Sequence, residues 1–386
     1  MTRILVVGGG VAGTASALAL HRAGFEAEVY EARPDGAGDM GAFLTLASNG
    51  MRALAAIDAT DAVTAIGFPL TAIRLLDASG TELAHAPMGE AAVPALNFRC
   101  LRRTDLGAAL LAEAVRRGVP VRHGARLVRV EEGPDGVTAH FADGSTATGD
   151  LLLGADGLHS AVRAAVAPDA RPGYAGQRVF YGSTTGAAPL GASDCITMVR
   201  GGATAFGCAT SPRGETFWFA RVSDGPLSAA EIAKGTADDW RDLLVPLLRA
   251  DAAPGAADIV AATGERLMVT NAMELPLGLP WCAGRVLLLG DAAHAASPAT
   301  GQGASMALED AVVLAKALRD LPDTGQALRR YEALRRERVE HNITTSGAIS
   351  RGTFAPSDAA GRPAGKTRPG EDGLADLLDW ESRSVP

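Results

Sequence analysis

Apolar positions along the 386-residue chain switch between two periods. Residues 3–7, Arg-Ile-Leu-Val-Val, form a short apolar run without alternation, the pattern of a strand covered on both faces. Small and apolar residues over 14–23 read as a helix, and 26–30 as a second strand, so the chain opens as a β-α-β unit. Helices are expected at 48–57, at 61–66, and at 105–116 with Thr104 as N-cap. Strands near 71–76 and 81–86 flank a turn-forming Asp-Ala-Ser-Gly. Three more, near 126–132, 136–141 and 145–153, are separated by Gly-Pro-Asp-Gly and Ala-Asp-Gly-Ser. Residues 174–225 have no helical period and read as mostly strand, including 216–222. A helix is predicted over 229–250, strands over 265–275 and 286–289, and helices over 304–319 and 326–346, the last strongly charged in its middle. After Thr353 the chain turns to Pro, Gly and charge and reads as a surface tail, with 374–380 docking back.

Composition narrows the setting. The net charge of −8 argues against nucleic acid or an anionic membrane as the main partner. Cys100, Cys195, Cys208 and Cys282 show no paired spacing, which points to reduced thiols in the cytoplasm, with no metal site and no disulfide framework. The uncharged run 4–20 contains four glycines and reads as strand, turn and helix, not as a signal or membrane segment.

Three stretches stand out chemically. Gly8-Gly9-Gly10-Val11-Ala12-Gly13 fits G-x-G-x-x-G between a strand and a helix. There the glycines permit a tight turn, a close approach of backbone N–H groups to a pyrophosphate, and close helix–strand packing. Glu31 ends the second strand at the position of an acid that binds ribose hydroxyls, which suits FAD or NAD and opposes a 2′-phosphate. The motif alone admits either cofactor. Far downstream come Asp-Leu-Leu-Leu-Gly-Ala-Asp-Gly-Leu-His-Ser-Ala-Val-Arg (150–163) and Arg-Val-Leu-Leu-Leu-Gly-Asp-Ala-Ala-His-Ala-Ala-Ser-Pro-Ala-Thr-Gly-Gln-Gly (285–303). Asp291 there ends a buried strand and can accept hydrogen bonds from ligand hydroxyls, whereas His294 reads as a structural, hydrogen-bonded histidine. An NAD-dependent dehydrogenase would leave Gly290-Asp291 and Gly301 to Gly303 without a role.

Together the three stretches resemble the class A flavin-dependent aromatic hydroxylases, the p-hydroxybenzoate hydroxylase and tetracycline-oxidising type, over residues 1–350. The resemblance implies an α/β fold: a three-layer, Rossmann-type FAD-binding domain on a mostly parallel sheet (1–66, 95–166 and 268–350), a β-sheet-rich substrate domain (67–94 and 167–267) and a C-terminal helix, with 351–386 as a tail. It assigns Gly8, Gly10, Val11, Ala12 and Gly13 to the cofactor phosphates, Glu31, Ala32 and Arg33 to the adenosine end, and Asp156 to the pyrophosphate region. Asp291 goes to the ribityl chain. Arg103 is placed near the flavin phosphates and ribityl chain, with Arg102 as its competitor because neighbouring strand residues face opposite sides. Pro298, Gly301, Gln302, Gly303 and Ala304 are placed at the flavin ring, with Pro298, Gly301 and Gly303 as the catalytic candidates, because reduction puts charge beside a helix N-terminus.

The implied reaction is reduction of bound FAD by NADPH or NADH, held only transiently. Addition of O2 as a C4a-hydroperoxide follows, then transfer of one oxygen to an aromatic or polycyclic small molecule. A flavoprotein reductase, desaturase or halogenase on the same scaffold is the alternative, and a non-catalytic flavin-binding protein a further one; the Trp-x-Trp-x-Ile-Pro motif expected of a halogenase is absent. The loop 34–43 carries acids where relatives often place an arginine. Pocket candidates are Phe180, Tyr181, Met198, Phe217 and Phe219. A cytoplasmic monomer or weak dimer is expected.

Overall fold

Parallel strands drawn from both ends and the middle of the chain lie side by side. The computed structural model describes residues 2–34, 42–90, 92–353 and 373–384. Its six-stranded sheet runs in the order Cys282–Ala283, Val286–Leu288, Leu151–Gly154, Arg3–Val7, Glu26–Tyr30, Val121–Arg122. Val7 pairs with both Gly154 and Tyr30, and Gly154 with Leu288, so the four central strands end level with one another. Every residue of Leu151–Gly154 and Val286–Leu288 is buried, as a parallel sheet covered on both faces requires. The helix Val11–Arg22 packs on the helix Gly303–Asp320, and it buries Gly13 to Leu20 without a break. Small residues there let it lie close to both the sheet and the second helix.

A seven-stranded sheet runs Leu267–Glu274, Gly173–Thr184, Thr216–Val222, Thr204–Thr210, Cys195–Arg200, Ala72–Asp77, Glu82–Pro87. One face packs Phe180, Phe206 and Trp218 against the helices Ala237–Asp251 and Pro254–Ala261. The other meets a three-stranded sheet, Phe43–Leu46, Phe98–Arg102 and Phe68–Leu70, through Phe217, Ile196 and Ala209.

The expected opening unit, the 71–86 hairpin and the two C-terminal helices occur. Other elements differ for local reasons. The expected strand 145–153 is two strands. Thr146–Gly149 pairs in an antiparallel hairpin, whereas Leu151–Gly154 enters the parallel sheet. Asp150 sits at the break and accepts from the Arg3 N–H at 2.7 Å. The expected helix 229–250 is likewise two, Ala229–Lys234 and Ala237–Asp251, each opened by its own capping box, Ser228 with Glu231 and Thr236 with Asp239. Thr104 is not an N-cap, since the helix Arg103–Arg116 starts two residues earlier than expected, with Arg102 in that position. The strand Leu267–Glu274 belongs to the seven-stranded sheet, so a boundary at 268 falls inside it. Most of the 34–43 loop and residues 354–372 of the tail lie outside the described residues. Among the described residues no helix is long and apolar enough to cross a membrane.

The docking expected of 374–380 occurs. The Lys316 ammonium, inside an apolar helix, donates to the Leu377 carbonyl at 2.7 Å and the Ser382 hydroxyl at 2.8 Å. Burial and the nearby Arg319 charge push its pKa down to about 8. Trp380 lies between two guanidiniums, Arg22 at 4.7 Å and Arg319 at 5.1 Å from its ring. Trp380→Ala is expected to cost about 3 kcal/mol in urea unfolding and to expose residues 373–384 to protease. An unchanged digestion pattern would show that this contact does not hold the segment down.

Candidate functional site

The level strand ends bring the three sequence stretches to one edge. Gly8 to Gly13 follows Arg3–Val7, Glu31 follows Glu26–Tyr30, Ala155-Asp156 follows Leu151–Gly154, and Gly290-Asp291 lies two residues past Val286–Leu288. This is the carboxyl edge of an open α/β sheet, where ligands of such folds bind. The contacts are intimate. Gly8 has φ +109°, and a Cβ on it would stand 2.4 Å from the Ala155 carbonyl oxygen. A Cβ on Gly13 would stand 1.9 Å from the Gly8 carbonyl oxygen, so helix and turn can meet only without side chains. A Cβ on Gly290 would touch that of Ala12 at 2.7 Å, which joins the first and last stretches directly.

Around this edge the backbone is bare where a ligand needs it. A Cβ on Gly10 would meet nothing within 4 Å, and the helix Val11–Arg22 starts without a side-chain cap, so its first N–H groups are free for an anion. Glu31 accepts from the Gly9 N–H at 2.7 Å and the Arg33 N–H at 2.8 Å. Its carboxylate is thereby fixed beside the glycine turn, with Ala32 and Arg33 continuing that rim. Asp291 opens the short helix Asp291–His294; its carboxylate has no hydrogen-bond partner among the described residues. Beyond its chain neighbours and its own helix backbone, a Cβ on Gly303 would meet, among the described residues, an Asp291 carboxylate oxygen at 4.0 Å. The helix Gly303–Asp320, with Ala304 in its first turn, also starts without a side-chain cap. Pro298 is exposed and opens the turn Pro298–Thr300, which ends at Gly301 with φ +67°. A carboxylate free to accept from hydroxyls, two uncapped helix starts and a glycine-lined surface between them fit a dinucleotide carrying a flat ring.

Asp156 has a different task. It accepts from the Ser160 hydroxyl at 2.5 Å and the Ala161 N–H at 2.7 Å, and so shapes its own loop. Arg163 ties that loop to the next motif, donating to the Leu158 carbonyl at 2.7 Å and the Ala292 carbonyl at 3.1 Å. Of the adjacent arginines, Arg103 is exposed and makes no ion pair among the described residues. Arg102 pairs with Glu215 at 2.5 Å and lines a cavity of about 270 Å³.

That cavity lies between Ala42 and Phe43 on one side and Tyr181, Ser183 and Phe217 on the other, with Arg266 and Met268 at its rim. Phe43 lies 5.9 Å from Phe217 and 6.1 Å from Phe219, ring to ring. Two residues along the Phe43 strand, the Thr45 hydroxyl lies 3.4 Å from where a Cβ on Gly301 would be. One strand therefore joins cavity and glycine loop. Of the expected pocket residues, Tyr181 and Phe217 line the cavity, and Phe219 and Met198 pack beside them. Phe180 does not; the pleat turns it to the opposite face, edge-on to Trp240 at 6.1 Å. Phe43, Arg266 and Met268 escaped sequence reasoning because they lie far apart along the chain.

A buried ionic network holds the edge in place. His294 shares a hydrogen bond of 2.6 Å with Asp310, as expected of a structural histidine, and the Gly290 N–H donates to the same carboxylate oxygen at 3.1 Å. Arg335 donates to the other Asp310 oxygen at 2.8 Å and also pairs with Glu309. Arg338 pairs with Glu309 at 2.8 Å. Asn49 donates to Glu309 at 2.6 Å and to Gln302, the residue before the helix Gly303–Asp320, at 3.1 Å. The sequence signal was an adjacent pair of acids inside an otherwise apolar helix, which demands buried partners.

Comparison with known proteins agrees with this geometry. Residues 1–346 match the family described as FAD binding domain. The chain belongs to the FAD-binding-domain family. Its cofactor is FAD, and its class is that of the FAD-dependent monooxygenases. It is 32% identical to the aurachin C monooxygenase/isomerase of Stigmatella aurantiaca over 361 residues, 90% of this chain and 88% of that one. It is 35% identical to an FAD-dependent urate hydroxylase of Klebsiella pneumoniae, covering 87% of this chain and 86% of that one. The crystal structure of Klebsiella pneumoniae HpxO with FAD and uric acid superposes with a TM-score of 0.81 at 28% identity, covering 98% of this chain and 96% of that one.

The network makes the edge sensitive to acid. Burial alone would push the Asp310 and Glu309 carboxyls up. His294 and Arg335 beside Asp310, and Arg335 and Arg338 beside Glu309, outweigh it and hold both below the usual carboxylate range. The unfolded chain therefore takes up protons first on acidification. This stabilisation is complete above about pH 5, begins to fall near about pH 4, where the unfolded carboxyls titrate, and is lost as pH drops further through the lower folded values. Asp310→Asn is expected to cost about 3 kcal/mol at neutral pH and to flatten that acid slope, both read from urea unfolding across the range. An unaltered slope in the variant would remove the network from the acid response.

Proposed function

We propose that the protein uses NADPH or NADH and O2 to hydroxylate a small aromatic molecule. One atom of O2 enters the substrate and the other leaves as water. The supporting observation is that an aromatic-walled cavity shares the strand Phe43–Leu46 with the glycine loop at the sheet edge. In this reading Gly8, Gly10, Val11, Ala12 and Gly13 would hold the FAD pyrophosphate through backbone N–H groups. Glu31, flanked by Ala32 and Arg33, would accept from the adenosine ribose. Asp291 would accept from the ribityl hydroxyls. Pro298, Gly301, Gln302, Gly303 and Ala304 would border the flavin ring, and the uncapped N–H groups of the helix Gly303–Asp320 would stabilise negative charge on it. Asp156 would set the backbone against Gly8, and Arg103 is the cation free to meet a phosphate. When bound, FAD supplies the redox chemistry, accepting electrons from the nicotinamide and activating O2.

The chain's own residues orient the substrate and exclude water. Phe43, Tyr181 and Phe217 offer apolar ring faces, and burial raises the Tyr181 hydroxyl pKa to about 12, so it stays a hydrogen-bond donor. A volume of about 270 Å³ is at the small end for ligand cavities and favours a compact substrate. The relatives' activities, urate hydroxylation among them, support the same class. All four cysteines are free thiols, which supports the cytoplasm as the compartment; we take a monomer or weak dimer as the working assembly.

Purified protein is expected to show flavin absorption that bleaches under anaerobic NADPH or NADH, and isotopically labelled O2 should place one labelled atom in the product. Asp291→Ala and Glu31→Ala are each expected to weaken FAD binding by about tenfold to a hundredfold. A protein that cannot be loaded with FAD would end this reading.

A further inference from the structure

Residues 290–302 carry the turn Pro298–Thr300 past the sheet edge, and partners from elsewhere hold them at short intervals. Asp310 holds Gly290 and His294, and Asn49 holds Gln302. Between these points, Ser297 and Thr300 meet one stripe of the helix Thr324–Ser350. The stripe is Asn342, Ser346 and Ser350, spaced by four and so on one face. These residues are 8%, 0% and 1% exposed, polar where a buried helix face is ordinarily apolar.

The hydroxyls of Ser297 and Ser350 lie 2.5 Å apart. The Thr300 hydroxyl lies 2.8 Å from both the Asn342 Oδ1 and the Ser346 hydroxyl. A hydroxyl has one proton and Oδ1 can only accept, so Thr300 donates to Asn342 and accepts from Ser346. Such buried hydroxyls are costly unless bonded. Here each is bonded, and each bond fixes direction as well as distance. Apolar side chains would seal the same surface but let the turn slide along it.

The same end of the helix is tied to the seven-stranded sheet. Arg351, the next residue, donates to Glu274 at 2.5 Å. A Cβ on Gly347 would stand 2.5 Å from the other Glu274 oxygen, so helix and strand end meet with no side chain between them. The Leu275 N–H donates to the Ala295 carbonyl at 2.9 Å. The strand Leu267–Glu274 carries Leu267 and Met268 into the cavity wall. Turn, helix end and sheet therefore close a triangle, with Ser297–Ser350, Arg351–Glu274 and Leu275–Ala295 as its joints.

We propose that Thr300 is a positioning residue. Held between Asn342 and Ser346, it sets how the Pro298–Thr300 turn stands against the cavity wall. The inference rests on the proposed hydroxylase reading, which puts that turn beside the flavin ring.

The test compares FAD-loaded variants by FAD affinity, visible absorption and anaerobic reduction with whichever of NADPH and NADH bleaches wild type. Thr300→Val keeps the shape and loses both bonds. It should bind FAD within about threefold of wild type, yet show shifted flavin bands and reduction slower by about tenfold or more. Thr300→Ser keeps both bonds and should restore bands and rate. Ser346→Ala, which spares the Asn342 bond, should move the bands the same way by less. Thr300→Val combined with Arg351→Met should cost less than the product of the separate effects, because each opens the same triangle. A Thr300→Val protein that only melts lower, with wild-type bands and rate, would overturn the proposal, as would effects that multiply. Should Thr300→Val not fold, unchanged bands in Ser346→Ala overturn it equally. Failure of the underlying reading shows separately: wild type then holds no FAD, or holds FAD that neither nicotinamide bleaches, and the role of Thr300 falls with it.

Discussion

The cluster of Asp310, Glu309, Arg335, Arg338 and His294 is the constraint on which the edge of the main sheet depends. Isolated charges cannot be buried at such a site; two acids and two guanidiniums that satisfy one another can. With Asn49, the partners come from four segments. Asp310 and Glu309 stand in Gly303–Asp320, the arginines in Thr324–Ser350, His294 in the turn after the last parallel strand, and Asn49 in Ser48–Ala56. The network fixes how these segments meet, and through the Gly290 N–H it fixes where Asp291 emerges. Apolar packing of the same volume could match its stability but would not hold a backbone N–H and a histidine ring in set directions.

Much of the sheet edge was legible because its chemistry is local. A strand, a glycine turn and a helix occupy successive residues, and Glu31 and Asp291 follow strands whose apolar runs are unmistakable. Sequence reasoning failed where partners are distant. The charged middle of the last long helix does not itself show which charges are buried; Arg335 is, because its partners lie 25 and 26 residues away. The break at Asp150 was hidden because Thr146–Gly149 and Leu151–Gly154 follow one another with a single residue between them; their separate pairing partners, antiparallel in a hairpin and parallel in the main sheet, are far away along the chain or set by the fold. Phe180 and Phe217 read alike as strand aromatics. The pairing register of the sheet, absent from any short window, sends one to the helices and the other to the cavity.

The seven-stranded sheet divides its work by face. Trp218, Phe180 and Phe206 bury their rings against two helices and stabilise the sheet. The opposite face packs Ile196, Ala209 and Phe217 on the small sheet and turns Tyr181 and Phe217 to the cavity, with Phe43 reaching across from a strand that also touches the Gly301 loop. A side chain on that face is free to be chosen for what it binds, because the other face already supplies the packing.

Two buried arginines show what an acid within reach does. Arg335 is fully neutralised, and its pKa rises above the ordinary value, because the pull of Glu309 and Asp310 outweighs the burial that alone would lower it. Arg221 is almost as deeply buried and its pKa falls, because burial acts on it without an acid in return. Arg102 and Arg266 avoid that outcome by sharing the carboxylate of Glu215. A guanidinium buried without an acid costs the fold stability, whereas one held between two acids is compensated where it stands.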